Sequence, residues 1–157
     1  KLSGLFFLIM EIKIYIDGAC IGNPGPGGWA VIILFENKKK ELFGGEKLTT
    51  NNRMELTATI KALEYFSKEE KKRPSLKNLK IYTDSNYVKE GITVWINSWE
   101  KNNWKTADKK NVKNIDLWKR LKELVNSNQV EWNWVKGHSE DPMNDLADKL
   151  AKKATPI

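Results

Sequence analysis

Residues 14–18 read Ile-Tyr-Ile-Asp-Gly, and residues 81–85 read Ile-Tyr-Thr-Asp-Ser. In both runs an aspartate follows a tyrosine by two positions, so in an extended chain the two side chains share a face. Around the first run Ile12, Ile14 and Ile16 alternate with Lys13, Tyr15 and Asp17; around the second Leu79, Ile81 and Thr83 alternate with Lys80, Tyr82 and Asp84. Both patterns have strand periodicity. Each aspartate is expected at the C-terminal end of its strand, the edge at which open α/β sheets gather functional groups. If the two strands are parallel neighbours, Asp17 and Asp84 lie side by side, and adjacent carboxylates repel unless a cation or a proton is shared.

The segments between the two runs supply the rest of a sheet. Gly22-Asn23-Pro24-Gly25-Pro26-Gly27-Gly28 is a strong turn signal, Trp29 to Phe35 is apolar and β-branched, Asn37 to Lys40 is polar and turn-like, and Glu41 to Thr49 can pair back. These segments predict an antiparallel meander. Asn51 or Asn52 can cap a helix on which Leu56, Ile60, Leu63 and Phe66 recur, ending in the charged run before Pro74. A helix between strands implies a crossover. Beyond Asp84, residues Ser85 to Asn103 read as helical with a break near Gly91. A basic loop follows, then a helix marked by Ile115, Trp118, Leu121 and Val125. Val130, Trp132 and Trp134 alternate as a fifth strand, Gly137 to Pro142 is a loop, and Ala147, Leu150, Ala151 and Ala154 define the last helix. The predicted fold is α/β, a mixed sheet of five strands (three antiparallel, then two parallel) with helices on both faces.

Two further acids join the pair. Glu55 is expected in the first turn of its helix, where a capping box with Asn52 would be the ordinary explanation. Asp148 lies on the last helix, four residues after Asn144 and on the same face; a solvated acid among lysines is its ordinary reading. A cluster of acids in a chain of net charge +7 is an electrostatic anomaly that a hard divalent cation resolves. Two such ions about 3.5–4 Å apart can activate water and stabilise a leaving oxygen.

Composition narrows the classes. A pI near 9.4 favours a polyanionic partner. Cys20 is the single cysteine, which excludes an intramolecular disulfide and suits a reducing cytoplasm. No stretch approaches the roughly 18 apolar residues of a membrane span. Residues 1–9, with the short apolar run Leu5 to Ile9, are expected to be an extension of doubtful origin ahead of the true start at Met10, and 10–157 a single domain.

The series of motifs resembles type 1 ribonuclease H. It comprises Asp-Gly-Ala-Cys-Ile-Gly-Asn-Pro-Gly-Pro-Gly-Gly at 17–28, Thr-Thr-Asn-Asn-Arg-Met-Glu-Leu at 49–56 and Tyr-Thr-Asp-Ser at 82–85. It continues with Trp-Lys-Thr-Ala-Asp-Lys-Lys at 104–110, Asn-Ile-Asp-Leu-Trp at 114–118, Trp-Val-Lys-Gly-His at 134–138 and Asn-Asp-Leu-Ala-Asp-Lys-Leu-Ala at 144–151. The likeness runs from about Met10 to Ala154 and departs from the family's common pattern at Ala19, where serine is usual. It implies the ribonuclease H-like fold and cleavage of the RNA strand of an RNA–DNA hybrid to 5′-phosphate and 3′-hydroxyl ends, with magnesium or manganese. It implies that Asp17, Glu55, Asp84 and Asp148 are the catalytic carboxylates and metal ligands, and that His138, the only histidine, assists the rate from a mobile loop. Asp17 is then expected to bridge two ions, with Glu55 and Asp84 toward the leaving group and Asp148 toward the attacking water.

Substrate contacts follow from the same resemblance. Gly18, Cys20, Asn23, Asn52, Asn86 and Asn144 are expected near the groove, the asparagines offering partners for 2′-hydroxyls. Thr50 and Asn51 are expected at a phosphate of the DNA strand. Trp95, Trp99, Trp104, Lys101, Lys105, Lys109 and Lys110 resemble a basic protrusion that grips that strand, although tryptophans at helical spacing also suit a core. The rival readings are an integrase- or transposase-like nuclease on the same fold, a non-catalytic hybrid-binding module, and the ribonuclease portion of a reverse transcriptase.

Overall fold

The computed structural model describes residues 9–72, 76–136 and 141–156. Its sheet is built from β1 (Ile9–Cys20), β2 (Gly25–Phe35), β3 (Lys38–Thr49), β4 (Leu76–Thr83) and β5 (Val130–Trp134) in the order β3-β2-β1-β4-β5. β1, β2 and β3 pair antiparallel, and β4 and β5 add parallel to β1. The helices are α1 (Asn51–Lys72), α2 (Asn86–Glu90), α3 (Ile96–Lys101), α4 (Ile115–Asn126) and α5 (Pro142–Ala154).

Alternation along the strands sorts two cores. Ile12, Ile14 and Ile16 of β1, Val31 and Ile33 of β2, and Leu79 and Ile81 of β4 share one face; Leu56, Ile60, Leu63 and Phe66 of α1 and Trp118, Leu121 and Leu124 of α4 cover it. Tyr15 and Ile32 point to the other face, where Ala147 of α5 packs on them. The pairs Ile14↔Ile33, Ile16↔Val31 and Ile14↔Ile81 put like with like across strands, so a one-residue slip would expose the whole set.

Several boundaries differ from the sequence-based expectation. The β2–β3 turn is confined to Glu36 and Asn37, with Glu36 at φ 49°, and Lys38 to Lys40 are paired with Phe35, Leu34 and Ile33. β2 carries the buried pattern that sets this register, while exposed lysines on edge strand β3 lose nothing by pairing their backbones and discourage edge-to-edge association. The glycine-rich turn ends at Pro24, and Gly25 to Gly28 already belong to β2. At Gly91 the helix does not break. Residues Gly91–Trp95 form a π turn that joins α2 to α3, and the buried Gly91 lies against the indole of Trp118. α1 is capped by Thr50, not by Asn51 or Asn52: Thr50 Oγ1 accepts from Arg53 N at 3.2 Å. Glu55 is therefore the fifth helical residue, beyond the first turn, and no capping box explains it.

Candidate active site

The parallel pairing of β1 and β4 runs to Tyr15↔Tyr82. Asp17 and Asp84 each stand two residues further on, in equal phase. Asp17 is not at the end of its strand, as expected, since β1 continues to Cys20 against β2; it stands where the parallel neighbour stops. β4 ends at Thr83, and Asp84 follows it. Thr83 Oγ1 accepts from Ser85 N at 3.1 Å, and Ser85 Oγ caps α2 by accepting from Val88 N at 3.1 Å. The turn that carries Asp84 is thus held on both sides.

Glu55 arrives from α1. A Cβ on Gly18 would lie 2.5 Å from Glu55 N and 2.6 Å from Met54 C, so only glycine lets the helix backbone come this close to β1. Asp17 and Glu55 are both buried, and Gly18 N donates to Asp17 Oδ1 at 2.9 Å. Asp17, Glu55 and Asp84 each offer an oxygen within 4.8 Å of the others. Glu55 Oε2 is buried and lacks a hydrogen-bond partner among the described residues. An orphaned buried acceptor is costly, and a cation is the natural complement of three clustered carboxylates.

Electrostatics agrees with the geometry. Burial above all, against the opposing pull of a hydrogen bond with Glu55 and with help from the charge of Asp84 and a hydrogen-bonding contact with Asp148, pushes the Asp17 carboxyl up to about 7. Burial first, and then the charge of Asp17, pushes Glu55 well above the usual carboxylate range. Without a counter-ion the cluster resists holding all its charges near neutral pH.

Asp148 lines the same cleft from α5 but lies outside the tight set of three. Its Oδ2 pairs with Lys152 Nζ at 3.0 Å, one turn along the helix. The cleft encloses about 440 Å³. Gly18, Asn51, Asn52, Asn86 and Asn144 also line it, as do Ser85, Tyr87 and Asp145, which sequence reasoning missed. The position of Ser85 and Tyr87 at the start of the helix after β4 was the available signal. Tyr87 is anchored from behind, its hydroxyl accepting from Asn114 Nδ2 and Trp118 Nε1, both at 3.0 Å.

The remaining expected residues are dispersed. Asn23 Oδ1 accepts from Asn51 N at 2.9 Å, tying the glycine-rich turn to the start of α1. Cys20 is half-buried, with Sγ facing the carbonyls of Thr49 at 3.5 Å and Gly25 at 3.6 Å, and does not line the cleft. Trp95, Trp99 and Trp104 form a chain of ring contacts at 5.7 and 6.3 Å that reaches the buried Trp118. They anchor the loop after α3, whereas Lys101, Lys105, Lys109 and Lys110 are exposed around it. Lys105 binds back to Asn111 across that loop. His138 lies outside the described residues, as do residues 1–8. Among the described residues no helix is long and apolar enough to cross a membrane.

Comparison with known proteins places the sequence and the fold in one family. The family model described as RNase H matches residues 10–155. The chain is 54% identical over 142 residues to the ribonuclease H of Parvibaculum lavamentivorans, covering 90% of each chain. It is 52% identical over 144 residues to that of Wolbachia pipientis wMel, covering 92% of this chain and 94% of the relative. Among solved structures it resembles LC9-RNase H1, described as a type 1 RNase H with the type 2 active-site motif. The TM-score is 0.81 at 30% identity, covering 94% of this chain and 72% of the other. LC11-RNase H1, solved in complex with an RNA/DNA hybrid, shares the fold with a TM-score of 0.69 at 23% identity, covering 92% of this chain and 96% of that one.

Proposed function

The chain belongs to the ribonuclease H family, and from that membership we propose that its carboxylate cleft hydrolyses the RNA strand of an RNA–DNA hybrid, leaving 5′-phosphate and 3′-hydroxyl ends. The observation that carries the reading is the convergence of Asp17, Glu55 and Asp84 within 4.8 Å in a chain of net charge +7.

The donor set fits a hard divalent cation: it is all oxygen, and one of its oxygens, Glu55 Oε2, is buried and unpartnered among the described residues. Asp17, Glu55, Asp84 and Asp148 would hold magnesium, or manganese in its place, as two ions once hybrid is present. When bound, the metal offsets the carboxylate charge, makes water a competent nucleophile near neutral pH and stabilises the leaving oxygen.

The other tasks fall to the chain. Asp17 is held rigid by the Gly18 amide. Asn51 and Asn52 at the start of α1 and Asn86 at the start of α2 offer uncharged donors and acceptors to 2′-hydroxyls on the cleft rim, which is how RNA is told from DNA. Asn144 contributes from α5 on the opposite wall. Thr50 Oγ1 accepts from Arg53 N in its helix cap, which leaves the hydroxyl proton free to be donated, beside Asn51, to a phosphate of the DNA strand. Lys101, Lys105, Lys109 and Lys110 grip the DNA strand through phosphate contacts. His138 assists proton transfer without being indispensable. The single thiol of Cys20 fits a reducing cytoplasm.

The decisive test is product analysis with the purified chain on hybrid, double-stranded DNA and double-stranded RNA, with and without magnesium. Cleavage confined to the RNA strand of the hybrid and dependent on metal is expected. An intact hybrid with both magnesium and manganese present would refute the reading, and cleavage of double-stranded DNA would favour an integrase-like nuclease.

A further inference from the structure

The placement of Asp148 depends on how α5 sits along the sheet. The buried face of the helix is Asn144, Ala147 and Ala151. Where it meets β2, a Cβ on Gly28 would lie 2.1 Å from the Ala151 carbonyl oxygen. Alanine on glycine sets the separation of helix and sheet, and the half-buried Met143, Leu146 and Leu150 flank that contact with apolar packing. Apolar packing is non-directional, and a hydrogen bond adds a directional constraint on the axial register.

One carboxylate supplies it. Asp141 Oδ1 caps α5 by accepting from Met143 N at 2.9 Å, and Asp141 Oδ2 accepts from the Tyr15 hydroxyl at 2.9 Å, across 126 residues of sequence. Tyr15 is buried in β1 two residues before Asp17. Its ring stacks on Tyr82 of β4 at 4.6 Å and 12°, so its hydroxyl has a fixed origin. The two oxygens of Asp141 thus join the helix that carries Asp148 to the strand that carries Asp17. Asp148 lies seven residues further along α5, about 10 Å at the helical rise.

We propose that Tyr15 and Asp141 are a positioning pair that sets the axial register of α5 and so holds Asp148 at its working distance from Asp17 and Asp84. The pair touches no substrate. Its role rests on the reading of Asp148 as a metal ligand given above.

Three variants separate the tie from the cap. Tyr15→Phe keeps the ring stack and removes the hydroxyl. Asp141→Ser keeps a capping oxygen but is too short to reach Tyr15. Asp141→Asn keeps the cap, and its amide N–H can donate to the Tyr15 oxygen. The readouts are Mn2+ binding to the full chain by calorimetry, and kcat and KM on hybrid through a magnesium titration. Tyr15→Phe and Asp141→Ser should each weaken Mn2+ binding and lower kcat by about tenfold, the lower end of the scale of one lost hydrogen bond to a charged group, with KM for hybrid unchanged. The double variant should be no worse than either single, because both remove the same bond. Asp141→Asn should behave as the parent. Lower thermal stability with unchanged Mn2+ affinity and kcat would overturn the proposal, as would effects that multiply in the double variant. Asp148→Asn in the same calorimetry distinguishes the two levels. If it leaves Mn2+ binding unchanged, the ligand reading fails and the positioning role with it. If it weakens binding while Tyr15→Phe does not, the positioning role alone fails.

Discussion

Gly18 lies so close beneath Glu55 that a methyl group added to it would stand 2.5 Å from the Glu55 backbone nitrogen. The contact is backbone to backbone, so no side-chain rotation can relieve it. Glu55 reaches Asp17 because β1 and α1 touch at this point. Gly18→Ala is therefore expected to push α1 away from the sheet. Stability should fall by about 1–3 kcal/mol, the usual scale of overpacking, and metal-dependent cleavage should fall more than the stability loss accounts for. Urea unfolding and cleavage rates at saturating magnesium check this; a variant with parental activity would show that Glu55 does not depend on the close approach.

The buried carboxylates should trade stability for function. Asp17→Asn removes a charge that burial disfavours, so the metal-free protein should melt at a higher temperature while magnesium-dependent cleavage is lost. Thermal scans without metal and hybrid cleavage with it provide both measurements. Retained cleavage would remove Asp17 from the chemistry.

Stability of the metal-free chain should fall as pH rises. The Asp17 carboxyl is raised from 3.8 to about 7 on folding, chiefly by burial. Between those values the folded chain holds a proton that the unfolded chain has released, so folding becomes less favourable through that window and levels off above it. Glu55 shifts in the same direction and adds to the trend. Melting temperatures from pH 4 to 8 should decline without metal, and millimolar magnesium should recover most of the loss at pH 8. A flat profile would contradict the buried cluster.

The loop lysines should govern salt dependence and leave the chemistry intact. Lys105, Lys109 and Lys110 are exposed on a loop anchored by tryptophans packed on the core. Replacing all three with alanine should raise KM for hybrid and make the slope of log affinity against log salt shallower by up to about three, one contact per lysine. kcat should be unchanged. An unaltered salt slope would place the DNA strand elsewhere. Trp104→Ala, by contrast, should destabilise the loop and lower binding together.

Much of this was legible in the sequence because it is local. Alternation in residues 12–17 and 79–84 determined two strands and the phase of Asp17 and Asp84, and the spacing of Leu56, Ile60, Leu63 and Phe66 determined α1. Periodicity reports the conformation of a short segment, and a strand has only two faces, so phase alone put both aspartates on one side. The lysines near Trp104 needed only composition. The tertiary structure decided what depends on distances between segments: that Glu55 is buried against Asp17 and not capping its helix, that Asp148 approaches Asp17 without joining the tight three and pairs with Lys152, and that Asp141 binds Tyr15 across 126 residues. A local pattern carries no signal for such contacts, because they depend on how helices settle on the sheet, and that is set by close packing between residues far apart in the chain.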